Sequence, residues 1–295
     1  MKVFVTGGSG YLGQPVIRAL RQQGHEVTAL ARSDAGAAAV SRLGAAPVRG
    51  GLGDLGTLRD AGAAADGVIH LASDRGARIA ETDRAAAQAL QDGVGSGPYV
   101  HTGGAWIYGD TGGMADESAP LAPPPVVAWR LENEKRVLAR AGAGGHPVIV
   151  MPGLVYGHGA GLIEQFFTAP ARSRGTVRYI GDGTNHWALV HVDDIADLYA
   201  RALAAPAGAV YAGVSEPALA VTEVAGAVSQ AAGCPGRTES MTLAEARREM
   251  GPIADAFALD QQLSSARARA ELGWRLARRD VLAELAAVPP PAAAS

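Results

Sequence analysis

Three glycines near the start carry the first readable chemistry. Gly7, Gly10 and Gly13 stand at three-residue spacing in Lys2-Val-Phe-Val-Thr-Gly-Gly-Ser-Gly-Tyr-Leu-Gly13, after a β-type run and before a helical pattern. In such a turn one glycine permits the tight bend, one lets the backbone approach a pyrophosphate, and one lets the helix pack on the strand. The free N–H groups of the helix start then point at the phosphates. Gly7, Ser9, Gly10, Tyr11, Leu12 and Gly13 are therefore expected to hold a dinucleotide.

The second β-type run ends in Leu30-Ala31-Arg32-Ser33. An acidic residue there would bind both ribose hydroxyls and repel a 2′-phosphate. Arg32 can instead stack on adenine and pair with that phosphate, and Ser33 can add a hydrogen bond. The expected cofactor is NADP(H) in preference to NAD(H); the alternative is a solvated arginine at a strand end. Asp54-Leu55 follows the third run, where the Asp can accept from the adenine amino group or serve as a helix cap. Because ligands bind outside the carboxyl ends of parallel strands, Leu71, Ala72, Ser73, Thr102, Gly103, Pro152, Gly153 and Val155 complete the expected cofactor set, with Asn133.

The elements that must position these residues alternate along the chain. Val3–Thr6, Glu26–Leu30, Pro47–Arg49, Gly67–Leu71, Pro98–Thr102 and Pro147–Met151 read as six buried strands. Gln14–Gln23, Ile79–Gln91 and Val126–Ala141 read as helices between them. Such alternation predicts an α/β fold, a Rossmann-type doubly wound parallel sheet with right-handed crossovers. After Met151 the rhythm breaks, with a helix at Leu162–Arg172, a strand at Val177–Ile180 and a helix at Asp193–Ala204. We therefore place the dinucleotide domain at 1–155, with 186–205 returning to it, and a smaller C-terminal substrate lobe at 156–185 and 206–276. A C-terminal helix and tail occupy 277–295.

Composition narrows the function classes. A net charge of −3 offers no basic field for nucleic acid or an anionic membrane, and no apolar run has the length of a bilayer span. Cys234 is the single cysteine, which excludes an intramolecular disulfide and fits a cytoplasmic location. The first strand begins at once, so the N-terminus is expected to belong to the fold rather than to a leader. The expected partner is a small-molecule substrate, with a homodimer as a further possibility.

The glycine turn, with Gly53-Asp54-Leu55, His70-Leu71-Ala72, Ile107-Tyr108-Gly109 and Val155-Tyr156-Gly157, resembles the extended and atypical short-chain dehydrogenase/reductase superfamily, which is epimerase/dehydratase-like. Asn185-His186-Trp187 and Val190-His191-Val192-Asp193-Asp194 are similar to the stretch where that family's substrate lobe returns to the nucleotide domain. The resemblance runs from Met1 to about Trp274. It implies a nicotinamide cofactor and a C-terminal lobe that selects the substrate. The departures fall on the catalytic set. Counting from Ile107, the family's Ser position is Gly104, its Tyr position Trp129 and its Lys position Asn133. Trp129 cannot titrate, and Asn133 carries no charge. Arg130-Leu131-Glu132-Asn133-Glu134 is similar to the atypical branch that lacks the Tyr-Lys pair.

Candidate replacements are Tyr108, His101, Tyr156, His186 and His191, with Tyr108 first because its phenol follows the fifth strand. Trp129, Asn133 and His191 join it as candidate catalytic positions. Each has a structural alternative: a turn residue for Tyr108, a helix cap at Asp193 beside His191, a core residue for His101. Lys135 lies two residues past the Lys position and faces elsewhere on a helix. No His, Cys or carboxylate spacing suggests a metal. Phe166, Phe167, Tyr179 and Trp187 can line an apolar pocket or form the lobe's own core. The leading expectation is an NADPH-dependent oxidoreductase with an unusual proton route, acting on a small organic substrate such as an iminium or another activated group. A redox-neutral epimerase or isomerase is a second enzymatic variant. The rival is a non-catalytic NADP(H)-binding sensor or regulator.

Overall fold

The computed structural model describes residues 1–74 and 76–287. Strands β1 (Lys2–Thr6), β2 (Glu26–Ala31), β3 (Ala46–Arg49), β4 (Gly67–His70) and β5 (Pro98–Thr102) alternate with helices α1 (Gly13–Gln22), α2 (Asp34–Arg42), α3 (Leu55–Ala63) and α4 (Ile79–Val94). The short β6 (Met114–Ala115), α5 (Trp129–Ala139), β7 (His146–Pro152) and β8 (Leu154–Tyr156) follow. The chain then runs through β9 (Val177–Ile180), β10 (His186–Trp187), β11 (Leu189–His191) and β12 (Val210–Gly213).

Seven strands form one sheet in the order β12-β7-β5-β4-β1-β2-β3, and every pairing in it is parallel. A parallel sheet is covered on both faces, which is why its strands read as continuous apolar runs. One face packs Val16, Ile17 and Leu20 of α1 and Ile195, Leu198 and Tyr199 of the helix Val192–Ala202. The other packs Leu58 of α3, Leu90 of α4 and Val137 of α5. Strand order reverses between β1 and β4, so the two halves of the sheet part there and a crevice opens at the carboxyl ends.

The lobe has its own core. Phe167 packs edge-on against Trp187 and Phe257, with ring centroids 5.1 and 5.0 Å apart. The Trp187 indole donates to the Phe257 carbonyl at 2.9 Å. Of the two sequence readings for Phe166, Phe167, Tyr179 and Trp187, the core reading describes their packing.

Two assignments within 206–276 change. The strand β12 lies in the central sheet beside β7, and Trp274 is buried in the sheet's own core, its indole donating to Asp194 O at 2.9 Å. The run Val210-Tyr-Ala-Gly213 has two small side chains and forms the edge strand of the sheet; its partner β7 supplies its strand identity. In the C-terminal segment the helix Val281–Ala286 packs into the lobe, and 288–295 lie outside the described residues. Among the described residues no helix is long and apolar enough to cross a membrane.

Candidate active site

A cleft of about 920 Å³ opens at the switch point, lined by Gly7, Ser9 to Gly13, Leu30, Arg32, Gly51 to Gly53, Leu71 to Asp74, Arg78 and Thr82. The glycine turn is locked by its own backbone. Gly7 has φ +74°, and Gly10 N–H donates to Gly7 O at 2.9 Å. A Cβ on Gly13 would stand 2.1 Å from Gly7 O, so no side chain fits where α1 crosses the turn. No side chain caps α1, and Tyr11 and Leu12 N–H make no backbone hydrogen bond among the described residues. Orphan N–H groups at the positive end of a helix, behind a bare glycine floor, fit a pyrophosphate.

Arg32 lies exposed on the cleft rim, its side chain 3.6 Å from the Cβ position of Gly51. No carboxylate reaches it within ion-pair distance among the described residues. Ser33 does not line the cleft. It caps α2, its Oγ accepting from Gly36 N at 3.1 Å, and its hydroxyl proton remains available beside Arg32. Asp54 Oδ2 accepts from Gly51 N at 2.6 Å, so this carboxylate braces the Gly50–Gly53 loop rather than facing the cleft, and Leu55 begins α3 behind it.

The remaining expected cofactor residues sit at the carboxyl ends of β5 and β7, outside the cleft lining. Thr102 Oγ1 donates to His70 O at 2.7 Å and accepts from Tyr199 OH at 3.0 Å. Gly103 N donates to Val150 O at 2.9 Å, and Gly153 N donates to Gly213 O at 3.0 Å. Pro152 ends β7 and Val155 lies within β8. These close hydrogen bonds make the end of β5 a rigid platform.

Asn133 corrects the sequence reading most clearly. Its amide donates both protons inward, to Ala80 O and to Asp83 Oδ2, each at 2.9 Å, so the side chain turns toward α4. Asp83 gathers a buried network. Its two oxygens lie 3.6 Å from His70 Nε2 and 3.9 Å from His101 Nε2. His70 Nδ1 meets Thr6 Oγ1 at 2.6 Å, and His101 Nδ1 meets Tyr99 OH at 2.9 Å. Burial raises the Asp83 pKa, but the contacts with His70, His101 and Asn133 outweigh it and hold the carboxyl well below its usual range. Burial holds His101 neutral, with a pKa of about 3. His101 is thus a core residue of this network, which spans β1, β4, β5, α4 and α5.

Tyr108 is buried in a short helical turn, Ala105–Tyr108, within the core on the α3–α5 side of the sheet. Burial, with Glu117, Glu134 and Asp116 nearby, pushes its phenol pKa up. It does not line the cleft, and packing is the role the structure gives it. Trp129 is half-buried at the first turn of α5, and Lys135 is exposed. His186 pairs with Asp260, Nδ1 to Oδ1, at 2.9 Å.

His191 and Tyr156 face a second, smaller cavity of about 200 Å³ with His158, Arg278 and Glu284. His191 caps the helix Val192–Ala202, its Nδ1 accepting from Asp193 N at 3.2 Å, and burial lowers its pKa. Spacing along the chain hid one cluster here: His158, His191 and Asp193 bring ligating atoms within 4.8 Å of one another. His158 Nε2 already meets Asp193 Oδ2 at 3.0 Å, and Arg278 stands 4.0 Å from the same oxygen. The cation beside that carboxylate favours a hydrogen-bonded cluster over a metal centre.

Sequence reasoning passed over two residues of α5. Glu134 is 4% exposed, and its Oε1 has no hydrogen-bond partner among the described residues. Burial lifts its pKa from 4.5 to about 8, against the pull of Arg130. Arg130 donates from Nη1 to Thr102 O at 3.0 Å, and its guanidinium carbon stands 4.5 Å from the Trp129 ring centroid. The signal available was their one-turn spacing within the Arg130-Leu131-Glu132-Asn133-Glu134 stretch of α5.

Residues 3–212 match the model of the NAD dependent epimerase/dehydratase family. The chain belongs to this family. It is 30% identical over 294 residues to the uncharacterized protein C2A9.02 of Schizosaccharomyces pombe, covering 97% of this chain and 98% of that one. It is also 30% identical to the 2-alkyl-3-oxoalkanoate reductase of Stenotrophomonas maltophilia, over 66% of this chain and 63% of the reductase. Among solved structures it is similar to DesIV, a dTDP-glucose 4,6-dehydratase of Streptomyces venezuelae solved with NAD and TYD bound. That likeness has a TM-score of 0.79 and 25% identity, covering 97% of this chain and 95% of DesIV. Within the family's fold, the cleft lies at the β1–β4 switch point, beside the glycine turn.

Proposed function

We propose that this chain is an NADP(H)-dependent reductase of a small carbonyl or imine substrate that works without the Ser-Tyr-Lys set. The observation that carries it is Arg32, an exposed cation with no carboxylate partner among the described residues, on the rim of a cleft whose glycine floor fits a pyrophosphate. A 2′-phosphate would complete that charge. Gly7, Gly10, Gly13 and the uncapped start of α1 would hold the pyrophosphate, while Arg32 and the Ser33 hydroxyl would hold the adenosine end. The cofactor would supply hydride. The reductases among the relatives support the redox reading over epimerisation.

A second reading, an NADP(H)-binding sensor, is favoured by the loss of the Tyr and Lys side chains and the inward hydrogen bonds of Asn133. NADPH deuterated at the transferable position, supplied with a panel of ketones, oxo acids and cyclic imines, separates the two. Deuterium appearing on product carbon supports the reductase. NADPH binding without deuterium transfer to any acceptor supports the sensor.

A further inference from the structure

We propose that Arg130 seats a carboxylate carried by the substrate, so that the substrate class is an oxo acid or similarly functionalised acid; this rests on the reductase reading above. The first observation is position. Gly104 stands where the family's Ser would be. A Cβ built there meets one neighbour within 4 Å, the Arg130 Nε at 3.9 Å. The guanidinium therefore lies beside the corner after β5 where a serine side chain would stand.

The second observation is an unmet charge. Arg130 is half-buried, and its ion-pair distance holds no carboxylate among the described residues. Glu134, one turn along α5, is drawn to it but makes no ion pair. Of its five donors, one Nη1 proton is committed to Thr102 O, and the indole of Trp129 covers a face. The Nε and Nη2 donors have no hydrogen-bond acceptor among the described residues. These two form one edge of the fork, the edge that pairs with both oxygens of a carboxylate.

Carbonyl and indole together hold the guanidinium in one plane before any ligand arrives, which reduces the ordering cost of binding. A half-desolvated cation with no counter-ion is costly for a protein to keep, and an incoming anion relieves that cost. A planar two-oxygen anion matches the unpaired Nε and Nη2 edge better than a tetrahedral one. Residues Gly104, Trp129 and Arg130 thus replace a hydroxyl-and-phenol oxygen site by a carboxylate site.

The test is calorimetric titration of the protein, with and without NADP⁺, by hexanoate, acetoacetate, methyl acetoacetate and inorganic phosphate. The two carboxylates are expected to bind saturably, and the ester and phosphate at least about tenfold more weakly. Arg130→Met should weaken carboxylate binding about tenfold to a hundredfold, Arg130→Lys should recover part of it, and NADP⁺ affinity should hold within about twofold, which also reports a folded variant. No carboxylate binding to the native protein, equal binding to Arg130→Met, or a preference for phosphate overturns the proposal. Failure of NADP⁺ to bind the native protein would instead overturn the cofactor reading, and the titrations without it would still read Arg130.

Discussion

Replacing Glu134 by Gln should stabilise the protein at neutral pH and do little near pH 5. The carboxyl is buried on α5 with an unpartnered oxygen, and burial lifts its pKa from 4.5 to about 8. Between those values the native state holds a proton that the unfolded chain has released. Stability therefore falls as pH rises through this window, the reverse of the usual carboxylate case. At 1.36 kcal/mol per pKa unit, the native state loses about 3 kcal/mol by pH 7 and about 5 kcal/mol above pH 8. Glutamine keeps the shape and cannot ionise, so that loss disappears. Urea unfolding of both proteins at about pH 5, 7 and 8.5, extrapolated to water, reads the difference. The gap should open from under about 1 kcal/mol to several. A gap that stays constant across this range would refute the reasoning, because only ionisation of this group gives it a slope.

Two other substitutions test the frame around the cleft. Gly13→Ala places a Cβ 2.1 Å from Gly7 O; it should abolish detectable nucleotide binding in a calorimetric titration and lower Tm. Asp83→Ala removes the hub of the buried His70–His101–Asn133 network. Breaking it should cost about 3 kcal/mol in denaturant unfolding while leaving the preference between NADPH and NADH unchanged.

Much of the fold is legible because its signals are local. The apolar runs of β1, β2, β4, β5 and β7 and the glycine turn after β1 each carry their own pattern, and the sheet order follows from their alternation with helices. The strand β12 escaped because four residues with two small side chains gain strand identity from β7 alone. Sequence and structure meet where the signal is local: Gly7, Ser9 to Gly13, Arg32 and Leu71 to Ser73 line one cleft. They part where a role depends on distant partners. Asn133 and Asp83 are 50 positions apart, yet their hydrogen bond decides that Asn133 turns inward. Asp54 offers a ligand contact or a cap by sequence, yet its carboxylate accepts from Gly51 N; Ser33 accepts from Gly36 N and keeps its hydroxyl proton beside Arg32. Arg130 gains its meaning from its approach to Gly104 in the turn after β5, a contact made only in the fold.

The cofactor assignment rests on the charge at the rim of the cleft, and one measurement addresses it directly: calorimetric titration of the native protein and Arg32→Asp with NADPH, NADP⁺, NADH and NAD⁺. A charge-assisted contact between Arg32 and a 2′-phosphate predicts that the native protein binds the phosphorylated pair at least about tenfold more tightly, and that the aspartate abolishes or inverts the preference. Equal affinity for NADPH and NADH in the native protein, or a preference untouched by the substitution, would contradict it.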